Sequence, residues 1–232
     1  MSESASDRHT FTPFDTDLAA MRGMVDVIAQ RVERQVVRGV DAVLAGDLAQ
    51  VMQVLAEERE INDLCVAADA HCSHLIARHQ PTAIDLREVV AAMHMVNDME
   101  RIGDEAKKVA LRAQLIAERG LPVDVAPLAE MSGTVMGMLR GALDAFRQRD
   151  ASAAAVLAQR DRRVDALRDQ TVAALTARMA ADAAIVPQAL ALVFVVQSLE
   201  RMGDHAREIA DYVVHVAAGV DVRHRPAERP GA

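Results

Sequence analysis

Glu100-Arg101-Ile102-Gly103-Asp104 returns, one hundred residues later, as Glu200-Arg201-Met202-Gly203-Asp204. The agreement extends upstream. Gly46-Asp47 corresponds to Arg149-Asp150, and Glu58-Arg59-Glu60-Ile61-Asn62-Asp63-Leu64 to Asp161-Arg162-Arg163-Val164-Asp165-Ala166-Leu167, now at an offset of 103 that one short deletion reconciles. A unit of roughly 100 residues has been duplicated, a common domain size. Around each motif the apolar residues recur in steps of three and four, the period of a helix. Phe14, Leu18, Met21, Val25, Ile28, Val32, Val36, Val40 and Val43 show it most clearly and predict a first helix over Thr16 to Ala45, on the order of 45 Å long. The remaining helices are read as Leu48 to Arg78, Pro81 to Arg119, Val125 to Arg149, Ala151 to Ala181 and Pro187 to Ala217. Gly46-Asp47 ends one helix and caps the next, and Gly120-Leu121-Pro122 is the strongest interior break.

The expected fold is therefore all-α: two tandem antiparallel three-helix bundles related by internal duplication, over 14–120 and 121–218, with disordered tails at 1–13 and 219–232. Composition agrees. Of 232 residues 51% are apolar and only 2% aromatic, with 11 Gly and 7 Pro, which excludes a sandwich or barrel built from aromatic and β-branched strands. With 26% charged residues the chain has material for a core and a solvated exterior, so disorder throughout is also excluded. A net charge of −8 disfavours an electrostatic grip on nucleic acid or an anionic membrane. The longest unbroken apolar run, Ala189 to Val196, is too short to cross a bilayer, and Met1 to Asp7 lacks the basic start and apolar stretch of a signal peptide. A cytoplasmic location is expected. In that setting Cys65 and Cys72, two helical turns apart, read as reduced core residues.

The acids carry the chemistry. On the third helix Leu86, Val90, Met93, Asn97, Glu100, Asp104, Lys107 and Leu111 follow alternating steps of four and three, the spacing of a bundle seam. The sixth repeats it through Val186, Leu190, Val193, Gln197, Glu200, Asp204, Arg207, Asp211 and Val214. The second does likewise through Leu55, Glu58, Asn62, Cys65 and Asp69, and the fifth through Leu157, Asp161, Asp165, Arg168 and Val172. Carboxylates four apart lie ~5–6 Å from one another at Cβ, so they repel and resist desolvation unless compensated. Two compensations are open: arginine salt bridges, with Arg101 and Arg201 adjacent and other arginines on neighbouring helices, or a multivalent cation shared between helices. Gly103 and Gly203 each cost ~1 kcal/mol of helix propensity, which points to a close approach there. No Gly-rich phosphate loop, Ser/His/Asp order or Cys-His pair is found, so no enzyme activity is expected. His94 and His205 flank the motifs and are within reach of a metal there, though a lone His on a helix reads first as hydrogen-bonded or solvent-facing.

Gln80-Pro81-Thr82-Ala83-Ile84-Asp85-Leu86-Arg87, Asp98 to Asp104, and Ser198 to Ala206 resemble the PhoU family of phosphate-signalling regulators, and the resemblance covers about residues 12 to 217. It implies two three-helix bundles, each able to bind a multinuclear metal cluster through paired Glu/Asp-x-x-x-Asp motifs. Carried over, the metal positions are Glu58, Asn62, Glu100 and Asp104 in the first bundle, and Asp161, Asp165, Glu200 and Asp204 in the second. The ions expected are iron, manganese, magnesium or zinc. Asn62 stands opposite Asp165, so a count of carboxylates predicts tighter binding in the second bundle. The resemblance further implies a non-catalytic negative regulator of phosphate uptake and of the phosphate-starvation response. Its expected partners are the ATPase subunit of the phosphate ABC transporter, a phosphate-sensing histidine kinase and a second copy of the chain as a homodimer, with neither nucleic acid nor membrane insertion. The rival class is a carboxylate-bridged metal-storage or oxidase bundle. Di-iron bundles carry Glu-x-x-His pairs, and none occurs here.

Overall fold

A computed structural model describes residues 12–119, 124 and 126–219. Six helices follow in order: α1 (Pro13–Ala45), α2 (Leu48–His79), α3 (Ala83–Arg119), α4 (Ala126–Gln148), α5 (Ala153–Ala181) and α6 (Val186–Ala218), with a 3-10 turn (Ala183–Ile185) before the last. No strand occurs among the described residues. The helix ends follow from local chemistry. Thr12 and Asp15 form a reciprocal capping box, with Pro13 in the first turn, so α1 opens three residues before the expected Thr16. Gly46 closes α1 at φ 66°, and Asp47 Oδ1 accepts from the Ala49 N–H to open α2, both as read from the sequence. Pro81 is not in the first turn of α3. Gln80 takes the left-handed conformation at φ 49°, closing α2 through Ile76 O, and Pro81 follows it where a helix cannot continue. The break at Gly120-Leu121-Pro122 and most of both expected tails lie outside the described residues.

α1, α2 and α3 pack on one another, as do α4, α5 and α6, so each half is a three-helix bundle. The bundles are joined along α3 and α6, with a smaller contact between α1 and α4. Asp98 meets His205 while Glu105 meets Arg201, so α3 and α6 cross antiparallel about a pseudo-two-fold axis. The core runs through this contact without interruption: Val89, Ala92, Val96, Met99, Ile102 and Ala106 on α3 belong to the same apolar cluster as Ala189, Leu192, Val196, Leu199, Met202 and Ala206 on α6. By length and composition alone the stretch Ala183–Ala217 would suffice to cross a membrane, which corrects the reading from its longest unbroken run. The helix packs against α3, α4 and α5, with Val186, Leu190 and Phe194 left exposed.

The seam of the third and sixth helices also needs correction. Leu86, Val90 and Leu111 are exposed, as are Val186 and Leu190. Because each of these helices packs against both its own bundle and the other, the buried face is shifted round the helix to Val89, Val96 and their counterparts. The spacing read as a seam is the rim of that face. Glu100, Asp104, Glu200 and Asp204 are accordingly half-buried.

Candidate functional site

In the first bundle, Glu58 is buried on α2 beneath the motif of α3. Its Oε2 accepts from Gln35 Nε2 at 2.7 Å, and its Oε1 lies 3.7 Å from Lys107 Nζ without a hydrogen bond. Burial pushes the Glu58 carboxyl above its usual range; Gln35 works against this, and the neighbouring Asp104 adds to it. Glu58 Oε1, Asn62 Oδ1 and Gln35 Oε1 are three buried oxygens without a hydrogen-bond partner. A Cβ on Gly103 would stand 2.9 Å from Gln35 Oε1 and 3.6 Å from Glu58 Oε2. The close approach that a mid-helix glycine implied is therefore real in this half, and it makes room for polar side chains. Glu100 sits one turn earlier on α3, where its charge reaches the Cys65 thiol.

In the second bundle the corresponding acids are held by arginines. Arg207 Nε lies 3.3 Å from Asp161 Oδ2 and its Nη2 4.0 Å from Asp204 Oδ1. Arg168 pairs with Glu200, with Asp165 at 2.9 Å and with Asp169 at 2.9 Å. The four acids still feel one another. Asp161 is pushed up to about 6, first by burial and then by Asp204, Asp165 and Glu200, against the pull of Arg207. Glu200 is raised by burial and by Asp204. A Cβ on Gly203 would meet Val164, Asp161 and Val135 at ordinary contact distances of 3.6–3.7 Å.

The family model of the PhoU domain matches residues 25–113 and again 128–213, one copy on each bundle. The chain belongs to the PhoU family. It is 36% identical over 217 residues to the phosphate-specific transport system accessory protein PhoU homolog of Pseudomonas aeruginosa, covering 93% of this chain and 90% of the relative. Against the homolog of Pseudomonas putida it is 35% identical over 222 residues, covering 95% and 87%. The PhoU protein of Escherichia coli strain K12 is 30% identical over 94% of this chain and 90% of its own length. The crystal structure of PhoU from Pseudomonas aeruginosa superposes with a TM-score of 0.85, 35% identity, and coverage of 89% of this chain and 100% of that one. The phosphate transport system regulatory protein PhoU from Streptococcus pneumoniae has a TM-score of 0.83 at 24% identity, over 90% of this chain and 99% of that one, which bears on the fold alone. The PhoU family is one of regulatory accessory proteins, not of enzymes.

Within this PhoU fold the described structure brings Glu58 to Asp104, and Asp161 to Asp165, Glu200 and Asp204. It does not draw either set together tightly. Among the described residues, the one group of three His, Cys, Asp or Glu side chains with ligand atoms within 4.8 Å of one another is Asp98, His205 and Glu208, between the bundles. In the second set Arg168 and Arg207 hold the acids in ion pairs with themselves. One contributor escaped the sequence reading. Gln35 sits on α1, away from either motif, and only the fold aims it at Glu58. Arg101 and Arg201 do not pair with the motif acids; the expected arginines on neighbouring helices do, Arg168 with Glu200 and Arg207 with Asp161. His205 is bonded to Asp98, and His94 stacks on Tyr212 at 4.9 Å, in line with the modest roles expected of them. Cys65 and Cys72 are free and buried, with burial pushing their thiols up to about 12 and about 11, so they stay protonated core residues.

Proposed function

We propose that this protein is a negative regulator of phosphate uptake and of the phosphate-starvation response. In this reading it acts in the cytoplasm as a homodimer, by contact with the ATPase subunit of the phosphate ABC transporter and with a phosphate-sensing histidine kinase. The observation that carries the reading is the match of one PhoU domain to each bundle, over both repeats and in order. The names of the relatives, accessory proteins of a phosphate-specific transport system, support the transport half of it.

The same reading includes multivalent metal ions, among iron, manganese, magnesium and zinc, held by Glu58, Asn62, Glu100 and Asp104 and by Asp161, Asp165, Glu200 and Asp204. The donor chemistry fits. The unpartnered oxygens of Glu58, Asn62 and Gln35 are hard ligands without a proton donor, and Asp161 in the second set is raised first by burial and then by the neighbouring Asp204, Asp165 and Glu200. Bound there, the ion would supply positive charge between two helices of a bundle. The residues themselves set where it sits and how rigid the rim of each bundle becomes.

The functional test is deletion in a cell whose phosphate transporter is intact. Uptake and the starvation regulon should stay active in phosphate-rich medium, and restoring the gene should silence them. A silent regulon in the deletion strain would overturn the regulatory reading.

A further inference from the structure

The duplication places the same four-residue corner twice on the α3–α6 crossing, once with each set of residues. At one end are Glu105 and Lys108 of α3 with Ser198 and Arg201 of α6; at the other are His205 and Glu208 of α6 with Asp98 and Arg101 of α3, each position one hundred residues from its counterpart. At the first end the chain supplies its own cation. Lys108 Nζ lies 2.8 Å from Glu105 Oε1 and Arg201 Nη1 stands 3.5 Å from the same oxygen, while Glu105 Oε2 is buried without a hydrogen-bond partner. At the second end Glu208 replaces that lysine, so an acid stands where the ammonium would be. Asp98 Oδ1 is 3.1 Å from His205 Nδ1, which is 3.6 Å from Glu208 Oε2. Asp98 is only 3% exposed, and its second oxygen, Oδ2, is buried without a hydrogen-bond partner. The positive charge nearby is Arg101, which is exposed to solvent.

A four-coordinate ion with bonds of ~2.0–2.1 Å holds its ligands about 3.3 Å apart. The two distances at this corner bracket that value. An imidazole with two carboxylates also differs in kind from the oxygen-only motif acids, and it favours zinc-like ions over magnesium or calcium. We propose that Asp98, His205 and Glu208 form a separate site for a single divalent transition-metal ion of the zinc type, bridging α3 to α6 and so clamping the two bundles. The ion takes the place of the hydrogen between His205 Nδ1 and Asp98 Oδ1, which is released to solvent. This site does not depend on the metal positions of the motif acids.

The test uses the full chain, stripped with a chelator and titrated with zinc(II) against a competing chelator, with the histidine ring nitrogens followed by 15N NMR. His205 Nδ1 should shift on addition of zinc. Both His205→Gln and Glu208→Lys should lose one bound equivalent, or weaken it by more than about tenfold, the lower end of what even indirect partners of a metal contribute. Glu208→Lys places an ammonium within reach of Asp98, the remaining acid of this corner, much as Lys108 stands by Glu105 at the other end, so the fold should be kept, which a thermal melt checks. Glu200→Ala/Asp204→Ala removes motif acids and should leave the His205 shift in place. Unmoved His205 nitrogens at saturating zinc, or full stoichiometry and affinity in Glu208→Lys, would overturn the site. Loss of the shift in Glu200→Ala/Asp204→Ala would overturn its separateness. Loss of binding by the motif acids with the shift retained would instead count against the metal part of the proposed function alone.

Discussion

Gly103 and Gly203 occupy the same place in the repeated motif, yet the first faces an amide and a carboxylate while the second faces two valines and an aspartate at ordinary distances. The acids around them differ in the same way. In the first bundle three acids, Glu58, Glu100 and Asp104, stand with one lysine, Lys107; in the second four acids stand with two arginines, Arg168 and Arg207. Both sets therefore carry the same net charge. The extra carboxylate that the sequence awards to the second bundle is offset by an extra guanidinium on the same rim. What distinguishes the halves is that the first leaves buried oxygens of Glu58, Asn62 and Gln35 without a hydrogen-bond partner, whereas the acids of the second are held in arginine ion pairs.

The largest expected effect lies where α1 meets α3. A Cβ on Gly39 would be 2.9 Å from the Ala106 carbonyl oxygen, a backbone atom that cannot rotate away. Gly39→Ala should lower stability by about 3 kcal/mol. In α4 of the second bundle no glycine faces a backbone atom: Gly133 has nothing within 4 Å, and Gly137 and Gly141 face side chains. Gly133→Ala should be neutral or gain up to about 1 kcal/mol from helix propensity. Equal losses in urea unfolding would erase this difference between the halves.

The motif glycines sharpen it further. Gly103→Ala forces the buried Gln35 off Glu58 and should destabilise by about 1–2 kcal/mol after the propensity gain. Gly203→Ala should be tolerated and stabilise by up to about 1 kcal/mol. Thermal melts of the two variants side by side decide it, and a loss of the same size in both would mean that their surroundings are equivalent after all.

On the proposed metal reading, the bare oxygens of the first bundle reverse the ranking drawn from carboxylate count. Glu58→Ala/Asp104→Ala should weaken manganese binding about tenfold more than Asp161→Ala/Asp204→Ala, about 1.4 kcal/mol. Arg168→Gln, by freeing Glu200 and Asp165, should narrow the gap. A greater loss from the second pair would restore the count of carboxylates as the deciding quantity.

The smallest effect is in pH. Asp161, held near 6, binds its proton more tightly in the folded chain than in the unfolded one. Its ionisation therefore costs stability, absent below about pH 4 and fully present above about pH 6. In metal-free protein Asp161→Asn should be more stable than wild type by about 1 kcal/mol at pH 8, with the difference fading toward pH 4. Glu58→Gln should gain less, because Gln35 already donates to that carboxylate. Parallel melting curves at pH 8 and pH 4 for Asp161→Asn and wild type would count against the desolvated acid.

The duplication, the six helices and most of their ends were legible because they rest on neighbours three or four residues apart. The apolar period, the Gly46 and Asp47 caps and the buried cysteines all belong to that local physics. So did the identity of the acids, which the repeat marks twice. The face that each helix buries was not legible for α3 and α6, because each has two sets of neighbours and its buried face turns toward both. Gln35 at Glu58, Arg207 at Asp161 and His205 at Asp98 join residues on different helices. Such pairs depend on the register and crossing of helices, which one helix's own sequence does not contain. The sequence alone determined a doubled helical bundle with acids in matched places. Only the tertiary structure decided which of those acids already have a cation of their own, because that depends on which distant side chain the packing brings within a few ångströms.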